Sequence, residues 1–164
     1  MTEPKNKNLL ASSKYELVFS RLPHVKFFLQ SFTFPGLNVG AIEYNTAFSN
    51  IPLSGDSIQY EDLACNVLLD EDMYVYSEVH NWMIENSKRD NYEQFNINTE
   101  LDTASIYINT NNNTKNIKVD FTGIFPVDLG SFEPTFSETD DYEPIVISIM
   151  FKFQKLDITR STKF

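Results

Sequence analysis

Several stretches of the chain alternate apolar and polar residues with the two-residue period of a half-buried β-strand. In KYELVFS (14–20), Tyr15, Leu17 and Phe19 fall on one face and Glu16, Val18 and Ser20 on the other. Arg21-Leu22-Pro23-His24 interrupts the run, because proline cannot donate to a β-ladder. KFFLQSFTF (26–34) then places Phe28, Gln30, Phe32 and Phe34 on a common face, and the two runs read as a hairpin. A third strand is expected from about Ser57 to Leu69, with Leu63, Cys65, Val67 and Leu69 inward. DTASIYIN (102–109) and NIKVDFTGIF (116–125) read as strands joined by an Asn-rich turn, Thr110–Lys115, where asparagine tolerates the backbone angles required. After a polar loop, 126–142, comes the strongest alternation, with Ile145, Ile147, Ile149, Phe151 and Phe153 set against Val146, Ser148, Met150, Lys152 and Gln154.

One segment has the helical period instead. Asp70-Glu71-Asp72 opens a helix over about 73–86, since carboxylates favour a helix N-terminus through capping and the macrodipole. Val75, Tyr76, Val79, Trp82 and Met83 form its apolar stripe, which is expected to cover an open face of the sheet. Tyr74, Ser77, Glu78 and Asn81 are its outward positions.

Residues 35–56, PGLNVGAIEYNTAFSNIPLSGD, sustain no period and read as one long inter-strand loop. A structureless loop of that length inside a compact domain is either functional or disordered. Disorder fits poorly with Leu37, Val39, Ile42, Tyr44, Phe48, Ile51 and Leu53, which are costly to leave in water. The loop is therefore expected to pack on another subunit, with Pro35, Gly36, Leu37, Phe48, Ile51, Pro52, Leu53, Gly55 and Asp56 as interface candidates.

Composition supports a β-rich chain. Among 164 residues there are 14 Phe and 8 Tyr but only 5 Gly, and aromatic side chains pack well on pleated surfaces. The fold class expected is mainly β: an antiparallel β-sandwich or partly closed barrel of about six strands with one flanking helix. Residues 1–13 read as a flexible N-terminal arm, 14–156 as a single β domain and 157–164 as a C-terminal tail.

Charge narrows the function classes. The net charge is −10, yet residues 1–55 hold five Lys/Arg against three Asp/Glu, while residues 56–164 hold eight against twenty. An acidic body repels phosphate backbones, which bind by counterion release from Lys and Arg. The polarity between segments suits a subunit whose mildly basic early part meets an acidic surface of a neighbour. One cysteine and two histidines exclude an internal disulfide and Cys₄ or Cys₂His₂ zinc sites. No apolar run approaches the ~20 residues of a membrane span, and the first ten residues lack the apolar stretch of a secretory signal, so an intracellular product without membrane insertion is expected.

Catalytic signatures are missing from the sequence: no Gly-rich phosphate loop, no GxSxG elbow, no HExxH. Cys65 reads as a small buried hydrophobe, His80 as a surface or partly covered histidine, and His24 as a turn residue. Asp70-Glu71-Asp72 lacks the spaced ligands and internal glycine of an EF-hand loop and reads as helix-start electrostatics, while an acid–base pair among Glu61/Asp62, Asp70/Glu71/Asp72 and Asp140/Asp141 stays open with nothing to distinguish one from the others. The Asn112-Asn113-Thr114 region contains an Asn-x-Thr acceptor pattern, idle without secretion. No catalytic residue, metal or cofactor is assigned.

Two frames carry a family resemblance. SFTFPGLNVG is followed, after the long loop, by IPLSGDSIQYEDLACNVLLDED and the Tyr/Trp-bearing helix. Thr122-Gly123-Ile124-Phe125-Pro126-Val127-Asp128-Leu129-Gly130 precedes the terminal strand ending in FKFQK. In this order, over roughly residues 14–156, the chain resembles the tail-tube proteins of contractile-tailed bacteriophages, a group that includes baseplate tube-initiator proteins. The resemblance implies hexameric rings whose strands close into a β-lined channel. It also implies ring stacking into a tube that conveys DNA as weakly contacted cargo, and self, sheath and baseplate-hub partners. The protein would be found in the virion after assembly in the host cytoplasm. The segment after Lys155 and residues 87–100 match less well, which leaves tube subunit, tube initiator and terminal ring as alternatives. A tube protein of a related contractile injection system remains a second reading. An acidic ligand- or protein-binding β-barrel module, whose 35–56 loop would fold over its own domain, remains a third.

Overall fold

The computed structural model describes residues 9–10, 13–46, 48–87, 102–134 and 144–160. Among them are ten strands and two helices. One four-stranded antiparallel sheet, sheet A, has the order β1-β6-β7-β10, formed by β1 (Tyr15–Phe19), β6 (Thr103–Asn109), β7 (Lys115–Thr122) and β10 (Lys155–Arg160). A second, sheet B, has the order β2-β5-β9-β8, formed by β2 (Leu29–Thr33), β5 (Leu63–Leu68), β8 (Phe125–Leu129) and β9 (Val146–Lys152). The remaining strands, β3 (Leu37–Asn45) and β4 (Asn50–Tyr60), pair only with each other. A short helix α1 (Val25–Phe28) precedes β2, and α2 spans Tyr74–Ser87.

The two sheets face each other across one core. Sheet A contributes Leu17, Phe19, Ala104, Ile106, Val119 and Phe121; sheet B contributes Leu63, Cys65, Val67, Ile147, Ile149 and Phe151. The stripe expected on α2 is the face that closes this core, with Val75, Val79 and Trp82 buried and Tyr76 and Met83 packed at its margin. Phe151 is the common contact: its ring lies 4.8 Å from that of Phe19 and 6.1 Å from that of Trp82. The Asp70 carboxylate accepts the Tyr74 and Val75 N–H groups at 2.9 and 3.3 Å, satisfying first-turn donors that have no partner within the helix. Cys65 is buried in this core, and burial pushes its thiol up to about 12.

Two long hairpins organise the chain. In the first, Thr33 stands opposite Ala64, the Glu61 N–H donates to the Gly36 carbonyl at 3.0 Å, and Leu37 stands opposite Tyr60 without a change of register. Strands β2 and β3 are thus one arm of a hairpin and β4 and β5 the other, interrupted at Pro35 and Gly36, where the proline has no N–H to give. In the second, Thr122 opposes Lys155 and Phe125 opposes Lys152, again in one register. This hairpin bends at Gly123 (φ 67°) and Gln154, so that β7 and β10 belong to sheet A while β8 and β9 belong to sheet B.

Several expectations change. The runs 14–20 and 26–34 do not form a hairpin: β1 pairs with β6 and β2 with β5. Buried Leu22 and Val25 anchor the connection, and residues 25–28 are helical, so the chain crosses from sheet A to sheet B between them. Tyr15 and Phe32 consequently meet edge to face at 4.7 Å rather than side by side in one sheet. The single strand expected over 116–125 is two, divided at Gly123. Residues 125–129, partly assigned to a polar loop, are an edge strand, the one place in a sheet where Pro126 costs no ladder bond. Asp157–Arg160, assigned to a tail, complete β10. The 57–69 strand is divided at Glu61-Asp62. The Asn-rich turn is as expected: Asn113 is left-handed (φ 59°) and Thr110 N–H donates to Thr114 O at 2.8 Å. Most of the 1–13 arm, residues 88–101 and residues 135–143 lie outside the described residues.

Gly123→Ala puts a side chain on a left-handed backbone at the bend shared by both sheets. It should lower stability by about 1–2 kcal/mol, read calorimetrically as a fall in Tm of about 2–8 °C for a chain of this size.

Candidate assembly surface

The long loop expected at 35–56 is a β-ribbon. Strand β3 has nine residues, all exposed; β4 has eleven, all exposed but half-buried Gly55. At about 3.4 Å per residue the ribbon extends about 30 Å as the continuation of the β2–β5 pair. Neither strand joins sheet A or sheet B.

Its side chains are those of a core. Leu37 is 61% exposed, Ile42 58%, Tyr44 62% and Leu53 52%, and Phe48 near the tip is fully exposed. Cross-strand pairs match apolar with apolar: Leu37 with Tyr60, Val39 with Ile58, Ile42 with Leu53, and Tyr44 with Ile51. A two-stranded ribbon is marginal in water by itself, and contiguous apolar surface of this kind marks an interaction site.

The missing period has a specific cause. Apolar residues occupy odd positions at Leu37 and Val39 but even positions at Ile42 and Tyr44; on β4 the change runs from Ile51 and Leu53 to Ile58 and Tyr60. The register shifts between these sets, at Gly40 and opposite it. A Cβ on Gly55 would lie 2.2 Å from the Gly40 carbonyl oxygen, so the close approach of the two backbones there requires glycine. A strand whose alternation changes phase at its midpoint has no single period, and the sequence resembles a loop.

The other interface candidates fall as follows. Pro35 and Gly36 form the root of the ribbon, and a side chain at Gly36 would crowd the Glu61 carboxylate. Ile51, Pro52, Leu53, Gly55 and Asp56 lie along β4. Ile58, Tyr60 and Gly40 belong to the same surface, although the sequence assigned the first two to another strand. On α2, Tyr74, Ser77 and Asn81 are exposed, whereas Glu78 is half-buried and bonded to His24 Nδ1. His24 also stacks on Tyr74, with ring centroids 5.6 Å apart, so the helix face is tied to α1. His80 is exposed and stacks on Tyr76.

The electrostatic expectation is inverted. All five cations of residues 1–55 lie at or before Lys26; from 36 to 60 the only charges are Glu43 and Asp56. The ribbon is acidic, and the lysines sit on the body. Lys26 Nζ and Lys115 Nζ donate to the two oxygens of Glu16 at 2.6 and 2.9 Å, holding its carboxyl below the usual range. Asp120 accepts from Lys118 at 2.8 Å and from Ser105 at 2.6 Å; burial pushes its carboxyl up, but these bonds leave it below the usual value.

No protein-family model and no curated protein matches the chain. Solved structures do. A chain of the anti-feeding prophage tube-terminating cap superposes with a TM-score of 0.68 at 15% identity, covering 98% of this chain and 97% of that one. A chain of the sheath–tube complex of an extracellular contractile injection system, PVC, in its extended state gives 0.66 at 14% identity over 94% and 93%. A chain of the anti-feeding prophage baseplate gives 0.64 at 8% identity over 98% of each. The chain has the fold of these proteins along nearly its whole length.

Ile42 and Leu53 are each more than half exposed on a strand pair that joins neither sheet, so Ile42→Ser and Leu53→Ser should behave as surface changes. Each is expected to shift unfolding of the unassembled chain by no more than about 0.5 kcal/mol in denaturant titration, against the 2–5 kcal/mol that truncating a packed core aliphatic costs.

Proposed function

We propose that this protein is a non-enzymatic structural subunit of the tube of a contractile injection particle, along the shaft or in a ring at one end, built by self-association through the β3–β4 ribbon. The single observation that carries the reading is that ribbon: a row of core-type side chains on a strand pair about 30 Å long, nearly all of it exposed. The likeness to chains of a tube-terminating cap, a sheath–tube complex and a baseplate supports the same assignment. A binding module whose loop closes over its own pocket is disfavoured, since β3 and β4 are exposed along nearly their whole length and the ring contact of Tyr60 with Phe153 lies at the ribbon's root.

The finer reading is a hexameric ring, stacked on others into a channel, in a phage tail that passes DNA. The charge supports it: with a net charge of −10 the surface offers little to release counterions from a passing phosphate backbone. Sheath or baseplate-hub partners would meet the α2 face at Tyr74, Ser77 and Asn81. Assembly would take place in the host cytoplasm.

The test is incorporation. Purified wild-type chain, alone or with baseplate, should give rings or short tubes in negative stain, and the chain should be present in purified particles. Ile42→Asp/Leu53→Asp should melt as wild type yet be lost from both. A strictly monomeric chain absent from purified particles overturns the proposal.

A further inference from the structure

We propose that the acidic ribbon of one copy docks on the lysine patch around Tyr107 of a second copy. This rests on the assembly reading above and names the surface that receives the ribbon.

On the donor side, Glu43 and Asp56 are the ribbon's only charges, and neither has an ion-pair or hydrogen-bond partner among the described residues. On the receiving side, Glu16, Tyr107 and Lys118 stand opposite one another across β1, β6 and β7. Lys115 Nζ lies 4.1 Å and Lys118 Nζ 5.8 Å from the Tyr107 ring centroid, and Lys26 joins Lys115 on the Glu16 carboxylate. Lys14 donates to the Asn111 carbonyl at the same end of the sheet. One carboxylate thus answers two ammonium groups, and with Asp120 on Lys118 the patch keeps a positive excess in a molecule of net charge −10.

Two complementarities coincide here. An aromatic ring flanked by aliphatic lysine stems offers apolar area, which is what the ribbon's Ile42, Tyr44, Ile51 and Leu53 need. The ammonium groups answer Glu43 and Asp56, while the predominantly acidic remainder of the surface repels them, so charge selects the site as well as favouring it.

The test uses the full chain in assembled particles. Cys65 is buried and unreactive, so Asn45→Cys can be labelled alone with a benzophenone maleimide. Irradiation should join that position to a peptide spanning residues 107–118 of another copy. Cross-links confined to a different surface of a second copy, or to another protein of the particle, overturn this docking and leave the tube reading standing. Absence of the chain from particles overturns both. Independently, Glu43→Lys/Asp56→Lys should reduce incorporation about tenfold or more with unchanged Tm. Lys115→Glu/Lys118→Glu should reduce it similarly, with a fall in Tm because Glu16 and Asp120 each lose a lysine partner, and the combination should restore most of the incorporation but not the Tm. Losses that simply multiply in the combined variant overturn the proposal.

Discussion

A two-stranded β-ribbon has no interior, so every side chain on it meets water unless a third element covers it. In this protein the constraint acts on a segment sequenced like a core, with four apolar cross-strand pairs. The sandwich does not need them: its own centre is filled by residues from both sheets and α2, with Phe151 in contact with Phe19 and Trp82. Most of the ribbon's side chains stay exposed in one chain, so the free energy of burying them would be gained on contact with another molecule.

What orients that surface is strand pairing. The ribbon continues the β2–β5 ladder in register, so its direction is set by sheet B rather than by a hinge. Association then loses little conformational freedom in the ribbon, the advantage that preorganised binding elements have over loops that order on contact. The second hairpin does the complementary work. By bending at Gly123 and Gln154 it locks sheet A to sheet B through continuous paired strands, so a load on the ribbon is transmitted into both sheets and not into a connecting loop.

Elements with one uninterrupted period were legible in the sequence. The α2 stripe, the β9 alternation and the Thr110–Thr114 turn each depend on residues adjacent along the chain, and each is found where the pattern put it. The failures share a different physics. Strand pairing between β1 and β2 was misread because Leu22 and Val25 are core anchors in a crossover, and anchors in a crossover look like any interrupted apolar run. The ribbon has no signature in the sequence because its two strands change phase at Gly40 and Gly55: the apolar content is visible along the chain, and the pairing is not. The lysine patch joins Lys14, Lys26, Lys115 and Lys118 across about a hundred positions, and segment charge totals even gave the wrong sign for the ribbon. Only register brings those residues together.

Sign and place of charge also constrain what kind of assembly is possible. The acidic ribbon and the basic patch are different surfaces of one chain, so a contact between them is heterologous: each copy gives its ribbon to one neighbour and receives another's. A two-fold dimer would need an additional self-complementary surface, whereas repetition of a heterologous contact either closes a ring or propagates as a filament. A filament of this kind keeps one unfilled surface at each end, a bare patch or a bare ribbon, whereas a closed ring keeps none. A particle that grows by this contact therefore needs specialised end pieces to stop it, each matching one of the two surfaces and lacking the other.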